Sequence, residues 1–518
     1  MTDDRLIAGV DAGTTRIRAI VFTPEGRVVA EGSRPTPVER PRPGWAEHDA
    51  EALWQATCGA LRDATTQIEH PARIRGLALA SVGEAFVALD ADGRPTCPVI
   101  AWYDERPAPQ LARLEAEIGK DRLYALTGRS PDPTFSLCKL LWLHDNQPEA
   151  LARTRLWLNV GHYLAWRLCG VPGADLSLAS RSLALDLHRR RWAGDLIREV
   201  GLSPVIFPEI RPCGARLGGV TTEGAAATGL TTECVVGVAG HDHIMGALAA
   251  GALAPGVLLD SMGSAEGLTL ALPASTAEPE LARRGYSQGV VEVEQPVAYV
   301  FGGFPTSGAC IEWFRVLFSG EVAHAQLIAE AERAPPCCHG ATFVPDLRGR
   351  ISPTPDPLAR GAWFGIGADA TRGALYRALL EGLAFEARQT VDSLIELPSL
   401  PRIEAVRAIG GNTRNPLLMA IKAAVCDRPI AAAEMAEATA LGAALLGGRA
   451  AGVFTDLSSA VAGLAATCRT YQPRASWVAR YEAHYRGVYQ PAYAQLRPLH
   501  HAAAALETRD GLKARPPG

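Results

Sequence analysis

The stretch LIAGVDAGT, Leu6–Thr14, is an apolar run that leads into a turn of glycine and threonine. A second β-prone run, IRAIVF at Ile17–Phe22, follows it, so the segment predicts a β-hairpin. About 250 residues further along the chain, GVLLDSMGS at Gly256–Ser264 repeats the pattern and is followed by LTLAL. The repeat predicts an internal duplication, with one strand–turn–strand unit in each of two domains.

Length and charge limit the classes of protein that this chain can belong to. A chain of 518 residues is too long for one ordinary core, so two large domains are expected. Lys and Arg number 51 against 55 Asp and Glu, and this balance provides no basic surface for nucleic acid or for a membrane. The most apolar stretch, Ile244–Leu259, is broken by Pro255 and is too short to cross a bilayer.

Cysteine usage and the first residues bear on the compartment. The 11 cysteines are scattered and form no CxxC pair, a pattern typical of reduced thiols. The opening MTDDRLIAGV carries acidic residues where a signal peptide needs positive charge. Both features predict a cytoplasmic protein.

The segment AGHDHIMGALAAG, Ala239–Gly251, places a carboxylate between two histidines before a helical run. Zinc binding is disfavoured because the other histidines form no second spaced cluster that could complete the ligand set. Asp242 is then either the cap of the helix or a catalytic carboxylate at a domain junction. At such a strand-to-helix junction, His241 and His243 are expected to point away from Asp242.

Glycine-rich turns are the candidates for nucleotide binding. The chain has no GxxxxGK[ST] motif, and the strand that would have to precede GIGADA at Gly365–Ala370 is short, so a P-loop and a Rossmann site are disfavoured. DAGTT, SMGSAEG and IGGNTRN each offer backbone N–H groups and polar side chains that suit phosphate oxygens. EATALGAALLGG, Glu437–Gly448, predicts a helix whose small residues let another element approach closely.

Taken in order over residues 5–490, these segments resemble the FGGY family of carbohydrate kinases. The segments that carry the resemblance include GVDAGTTRIRA near the start, PGWAEHD at Pro43–Asp49, AWYDERP at Ala101–Pro107, ADLSLAS at Ala174–Ser180, AGHDHIMGALAAGAL at Ala239–Leu253, SMGSAEG at Ser261–Gly267, IGGNTRNPL at Ile409–Leu417 and EATALGAALL at Glu437–Leu446.

The resemblance implies an α/β protein with the duplicated actin-like ATPase (ribonuclease H-like) fold, two domains around a central cleft. We expect an N-terminal sugar-binding domain with the first phosphate segment over 1–246 and a C-terminal nucleotide-binding domain over 247–495. The tail 496–518 is expected to be disordered. The implied substrates are a sugar and ATP, the implied metal is Mg²⁺, and a homodimer is the expected assembly. No nucleic acid or membrane partner is expected.

The resemblance also assigns roles to individual residues. Asp242 matches the general base, and Asp11 and Asp242 are expected near Mg²⁺. The expected ligand contacts are Thr14, Thr15, Arg18, Gly263 and Ser264 for phosphate, Gly410, Gly411, Asn412 and Asn415 for adenosine, and Glu84, Trp102, Asp104 and Asp242 for the sugar.

One segment departs from the family pattern and leaves the acceptor open. Pentulose kinases have a Gln-Met-His type segment where this chain has Val82-Gly83-Glu84-Ala85, and glycerol kinases have Arg-Glu. Glu84 fits the glycerol kinases, but Gly83 removes their arginine. A ketose, either a pentulose such as xylulose or a hexulose, is the expected acceptor. The alternatives are a polyol kinase of the glycerol or erythritol type and a non-catalytic actin-like sugar sensor.

Overall fold

The computed structural model describes residues 4–276, 278–320, 322–433, 437–465 and 468–509, and it shows strands alternating with helices in both halves of the chain. The elements of the first half are β1 Leu6–Ala12, β2 Arg16–Phe22, β3 Val28–Pro35, β4 Glu47–His48, α1 Ala50–Thr65, β5 Ile74–Ser81, β6 Phe86–Leu89, β7 Val99–Ile100, α2 Ala108–Glu117, α3 Lys120–Thr127, α4 Ser136–Asn146, α5 Pro148–Arg153, β8 Leu156–Asn159, α6 Val160–Cys169, α7 Leu176–Ala179, β9 Leu185–Asp186, β10 Arg191–Trp192, α8 Gly194–Glu199, β11 Arg216–Gly219, α9 Thr222–Thr228, β12 Val235–Gly237 and α10 Asp242–Ala249.

The second half opens with the predicted counterpart of β1. Its elements are β13 Val257–Met262, β14 Glu266–Leu272, α11 Pro279–Arg283, β15 Ser287–Glu292, β16 Pro296–Phe304, α12 Gly308–Ser319, α13 His324–Glu332, β17 Thr342–Val344, β18 Ala362–Phe364, α14 Arg372–Ile395, β19 Ala405–Ile409, α15 Pro416–Cys426, β20 Ile430–Ala432, α16 Ala438–Ala450, α17 Leu457–Ala465, β21 Arg469–Tyr471, α18 Ala475–His484 and α19 Gln490–Arg509.

The two large sheets have the same topology, which confirms the predicted duplication. The first has the order β11-β12-β5-β1-β2-β3, and the second, taken in the same direction, has the order β21-β20-β19-β13-β14-β16-β15. β1 pairs antiparallel with β2 and parallel with β5, and β13 pairs in the same way with β14 and β19. The second sheet differs by one additional edge strand, β15.

Helix α16 joins the halves because its small residues let backbones come into contact. A Cβ atom on Gly9 of β1 would lie 1.8 Å from the carbonyl oxygen of Ala440 in α16. A Cβ atom on Gly442 of α16 would lie 2.0 Å from the carbonyl oxygen of Met245 in α10. α16 therefore packs directly on the first sheet and on α10, which confirms the close approach expected from its sequence.

The structure corrects the expected tail. Residues 496–509 belong to α19 instead of a disordered tail, and 510–518 lie outside the described residues. The alanine-rich segment has high helix propensity, and the imidazole of His501 lies 2.8 Å from Asp356, which anchors the helix to the body of the protein.

Helix α10 runs across the predicted domain boundary. The boundary between 246 and 247 falls inside this helix, so a division after Ala249 leaves the element whole. None of the helices in the described parts of the chain is long and apolar enough to cross a membrane.

Candidate active site

The first predicted phosphate turn connects β1 and β2 and is held by its own backbone. The amide of Gly13 donates to the carbonyl of Arg16 at 3.1 Å, and the hydroxyl of Thr36 donates to the carbonyl of Gly13 at 2.8 Å. Thr14 and Thr15 occupy the turn between the strands. The indole of Trp102 donates to the hydroxyl of Thr14 at 2.9 Å, so the turn contacts a residue that lines the neighbouring cavity.

Asp11 lies at the end of β1, directly before this turn. Its Oδ1 atom is buried and accepts no hydrogen bond from the described residues. Burial, together with the negative charge of nearby Asp242, raises the pKa of Asp11 to about 7, although Arg18 acts in the opposite direction. A buried carboxylate oxygen without a donor suits a cation, so the residue is compatible with a Mg²⁺ site.

Asp242 is the first residue of α10, and its carboxylate has one engaged and one available oxygen. Oδ1 accepts the amide of His243 at 2.7 Å and lies 3.2 Å from Nε2 of His241. Oδ2 has no partner among the described residues, and the side chain is 25% exposed. His241, and not Asp242, is the N-terminal flanking residue of the helix, and its own side chain makes no capping hydrogen bond with the described residues. Asp242 instead satisfies one free N–H group from within the first turn. A carboxylate in this position is stabilised by the helix dipole and remains accessible.

The two histidines correct the expectation that both point away from the base. His241 contacts Asp242, and burial, reinforced by the positive charge of Arg181, lowers its pKa well below the ordinary value. A neutral imidazole therefore lies beside the carboxylate without adding a charge to the site. Nδ1 of His243 lies 3.3 Å from Oγ of Ser261, which connects α10 to β13. In the part of the chain that the structure describes, no group of three or more His, Cys, Asp or Glu residues is suited to a metal ion. The structure therefore adds no support for zinc binding.

The second predicted phosphate turn, with Gly263 and Ser264, is fixed by the start of α12. The amide of Ser307 donates to the carbonyl of Ser264 at 2.8 Å, and the amide of Gly308 donates to the carbonyl of Gly263 at 3.0 Å. No motif in the sequence pointed to Ser307 or Gly308, because the two segments are far apart along the chain.

The buried ammonium group of Lys422 holds together the two strands that flank this turn. Nζ of Lys422 in α15 lies 2.6 Å from Asp260 of β13 and also contacts Glu266 of β14. Oγ of Ser307 donates to the second oxygen of Glu266 at 2.8 Å. Burial of two carboxylates is tolerated because the ammonium group pairs with both. These contacts fix both strands that flank the turn, and sequence patterns gave no signal for them.

The third glycine turn meets the second. Gly410 has a φ of +99°, and a Cβ atom there would lie 2.4 Å from the carbonyl oxygen of Met262. Gly411 faces open space, and the side-chain nitrogen Nδ2 of Asn412 donates to the carbonyl oxygen of Gly263 at 3.4 Å. The structure therefore brings the predicted adenosine segment against the second phosphate turn. Oδ1 of Asn415 caps α15 by accepting from the amides of Leu417 and Leu418.

Arg18 is engaged elsewhere than predicted. Its Nη1 donates to both carboxylate oxygens of Glu437, at 2.6 and 2.5 Å, at the start of α16. In this arrangement Arg18 connects β2 of the first sheet to a helix of the second half. The ion pair uses only Nη1 and the side chain is 41% exposed, so contact of the other guanidinium nitrogens with phosphate stays a prediction.

A cavity of about 550 Å³ lies between the two halves of the chain. Glu84, Trp102 and Arg181 line it from the first half, and Phe301 and Arg350 line it from the second. Glu84 and Trp102, which were both predicted to contact the sugar, therefore face one cavity. Arg181 had no role in the sequence-based prediction.

Asp104 does not face this cavity. One of its oxygens accepts the backbone amide of Ala46 at 2.6 Å, and the guanidinium of Arg106 pairs with both oxygens at 2.8 and 2.7 Å. The side chain of Asp104 has no solvent exposure. Its carboxylate is fully used inside the protein, so the predicted sugar contact is replaced by a structural role.

Comparison with known proteins identifies the family. Residues 6–249 match the N-terminal domain and residues 261–451 the C-terminal domain of the FGGY family of carbohydrate kinases. Glycerol kinase of Nocardia farcinica is 31% identical over 91% of this chain and 95% of its own length. Xylulose kinase of Bacillus subtilis is 26% identical over 96% of this chain and 98% of its own length.

Solved structures give the same result. The crystal structure of xylulose kinase from Rhodospirillum rubrum is 30% identical, with a TM-score of 0.84, over 96% of this chain and all of that chain. The comparisons confirm the resemblance and the duplicated actin-like ATPase fold. The chain belongs to the FGGY family of carbohydrate kinases, phosphotransferases that transfer phosphate from ATP to an alcohol group.

Proposed function

We propose that the protein transfers the γ-phosphate of ATP to a hydroxyl group of a ketose, a pentulose such as xylulose or a hexulose, with Asp242 as general base. One observation carries the proposal: Asp242 presents a partly exposed, unpartnered Oδ2 while Oδ1 is held in place. His241 lies between this carboxylate and Gly83, which precedes the cavity residue Glu84, and His243 connects the carboxylate to β13.

The proposed chemistry needs one proton transfer and one exchange of P–O bonds. Oδ2 of Asp242 accepts the proton of the sugar hydroxyl while the sugar oxygen attacks the γ-phosphorus in line. The bond from the γ-phosphorus to the oxygen that bridges to the β-phosphorus breaks, and that oxygen leaves with ADP. The amide of His243 keeps the base oriented throughout, because it donates to the oxygen that does not take the proton.

The glycine turns would hold the phosphates. Backbone N–H groups at Gly13–Thr15 and at Gly263–Ser264, with the hydroxyls of Thr14, Thr15 and Ser264, suit the charged oxygens. We propose that Gly410, Gly411 and Asn412 contact adenosine, while Asn415 supports them by capping α15. Asp11 and Asp242 would hold Mg²⁺, which when bound neutralises charge on the phosphate oxygens.

Water must be excluded from the site, since otherwise the enzyme would hydrolyse ATP. The acceptor cavity is lined by both halves of the chain, so movement of one half toward the other would enclose the reacting groups.

The acceptor class is supported by the relatives and by one residue. Two of the named relatives are xylulose kinases, and Gly83 stands where the resemblance puts an arginine in glycerol kinases. A polyol acceptor is the second candidate, because a glycerol kinase is 31% identical and Glu84 is retained. An ADP-release assay over a panel of ketoses and polyols separates them: turnover of polyols alone would contradict the ketose proposal.

The general base is tested with Asp242→Asn. We expect kcat to fall about 10²- to 10⁴-fold, because the amide cannot accept the proton, while the Kd of ATP changes little. Asp195→Asn is the matched control, since the Asp195 side chain is 97% exposed and, among the described residues, pairs with Arg198. A kcat close to that of the wild type in Asp242→Asn would contradict the assignment.

A further inference from the structure

Arg181 occupies the space that the missing side chain of Gly83 leaves open. It lies in the short turn Ser180–Ser182 after α7, far along the chain from Gly83. A Cβ atom on Gly83 would lie 3.1 Å from Nε and 3.2 Å from Cγ of Arg181. A Cβ atom at position 83 would require Arg181 to shift by a few tenths of an ångström, and a longer side chain would compete with it for this space, so the glycine and the arginine form one arrangement. The guanidinium beside Glu84 is therefore supplied by a different element of the fold.

The backbone of Glu84 is fixed by buried donors. Its φ is +61°, an uncommon conformation for a residue with a side chain. Its carbonyl oxygen accepts Nζ of Lys139 at 3.0 Å and the hydroxyl of Ser136 at 3.3 Å, both from α4. These contacts hold the carboxylate in one direction, toward Arg181 and the cavity.

The ion pair leaves one donor and one acceptor available. Nε and Nη2 of Arg181 both contact Oε1 of Glu84. Nη1 of Arg181 and Oε2 of Glu84 have no hydrogen-bond partner among the described residues, and both side chains line the cavity. The rings of Phe301 and Phe135, with centroids 5.5 and 6.0 Å from the guanidinium carbon, restrain Arg181 further.

This donor and acceptor lie next to the proposed base. The same Cβ position on Gly83 would be 3.2 Å from Cδ2 of His241, and His241 contacts Asp242. Although burial acts in the opposite direction, the charges of Glu84 and Asp242 raise the pKa of Arg181, so the guanidinium lies within electrostatic range of the base. One small substrate with a hydroxyl at Asp242 and neighbouring oxygens at the Arg181–Glu84 pair is compatible with this arrangement.

We propose that this pair recognises the hydroxy-ketone group of the acceptor, with Arg181 donating to the carbonyl oxygen and Glu84 accepting from the adjacent hydroxyl. A guanidinium only donates and a carbonyl only accepts, so the two are matched. In the corresponding alditol the carbonyl is replaced by a hydroxyl, whose oxygen still accepts from Arg181 but whose proton needs an acceptor that a guanidinium cannot provide. The inference rests on the proposed function, because it names the feature that selects a ketose as substrate.

The test compares each ketose of the panel with the alditol obtained by reducing it. In Arg181→Leu we expect kcat/KM for the ketose to fall about 10- to 100-fold, as for loss of a charge-assisted hydrogen bond. The fall in kcat/KM for the alditol should be clearly smaller, so kcat/KM for the ketose divided by kcat/KM for the alditol drops. The KM of ATP should stay within about twofold. Arg122→Leu is the matched control, because Arg122 pairs with Glu199 on the surface.

Two further variants keep the test valid if Arg181→Leu folds poorly. Arg181→Lys retains the charge beside Glu84 but loses the planar fork, and we expect the same loss of ketose preference in a folded protein. In the double variant Gly83→Arg with Arg181→Ala, a guanidinium enters the same space from the other side, and we expect part of the preference to return. Gly83→Arg alone should bind the acceptor poorly, because the two side chains collide.

The outcomes distinguish this inference from the proposed function. One outcome is that the wild type phosphorylates ketoses and that the ratio of kcat/KM for ketose to kcat/KM for alditol is unchanged in Arg181→Leu and Arg181→Lys. In that case the proposed recognition of the carbonyl is wrong and the kinase function stands. If the wild type phosphorylates only polyols, the ketose proposal fails together with the inference.

Discussion

At the scale of single residues, the site depends on which oxygen of each carboxylate is already used. Oδ1 of Asp242 is held by His243, whereas Oδ1 of Asp11 is buried without a donor. Both oxygens of Asp104 are used by Ala46 and Arg106. Three aspartates that look equivalent in the sequence therefore have different capacities to bind a cation, take a proton or hold a loop.

The first residue-scale prediction concerns Asp11. In Asp11→Asn we expect the Mg²⁺ concentration for half-maximal activity to rise, because a neutral amide oxygen binds a divalent cation more weakly than a carboxylate. The fold should be retained, since the amide is almost the same size and removes a buried charge. Activity titrated against Mg²⁺ checks this, with Asp195→Asn as control. An unchanged titration curve would remove Asp11 from the metal site.

Chelation gives a second prediction at this scale. Wild-type turnover should stop when divalent cations are removed with EDTA and return when Mg²⁺ is added in excess, because ATP needs its phosphate charge neutralised. Turnover that persists in EDTA after dialysis would contradict a Mg²⁺-dependent reaction.

At the scale of elements, the glycines of α16 determine how close the helix lies to its neighbours. Gly442→Ala should lower stability by about 1–3 kcal/mol, because the new Cβ atom collides with backbone that cannot move aside. Gly463→Ala in α17 meets open space and should raise stability by roughly 0.5–1 kcal/mol through helix propensity. The thermal unfolding midpoint of both variants checks the contrast. Equal shifts would mean that α16 is not tightly packed.

The docking of α19 is the second prediction at this scale. Burial alone would raise the pKa of Asp356, but hydrogen bonds from Tyr493, His501 and the amide of Leu358 outweigh it and lower the pKa to about 2. Because the folded-state pKa is below the ordinary value of 3.8, this stabilisation is present above about pH 4 and is lost as the pH falls toward 2.

Asp356→Asn measures this contribution. Its thermal unfolding midpoint should be lower than that of the wild type above about pH 5, and the difference should shrink between pH 4 and pH 2 as the wild-type carboxylate becomes protonated. A difference that is independent of pH over this range would show that the charge of Asp356 does not anchor α19.

At the scale of the whole molecule, the acceptor cavity has walls from both halves, so substrate binding and closure should be coupled. We expect a smaller radius of gyration by X-ray scattering when acceptor and a non-hydrolysable ATP analogue are both bound. Ligand at about 100 times its Kd should add about 2.7 kcal/mol of stability. Asp242→Asn should show the same compaction, because it binds but does not react. Bound ligand with no change in radius would argue against closure.

Much of the fold was predictable because its signals are local. The two strand–turn–strand units predicted the duplicated sheets, since an apolar run followed by a glycine turn forms a hairpin wherever it occurs. The small residues of Glu437–Gly448 predicted a closely packed helix, and the structure shows it. Asp242 was identified from the helix start and the family resemblance, and its roles as base and metal ligand stay predictions.

The tertiary structure decided what depends on partners distant in sequence. Arg181 fills the space over Gly83, Arg18 pairs with Glu437, and His501 anchors a tail that composition suggested was disordered. The sequence by itself determined the hairpins, the glycine turns and the helix that begins at Asp242, because these follow from residues next to one another. The folded chain determined which charged groups meet, because an ion pair forms by distance in space, and that distance cannot be derived from separation along the chain.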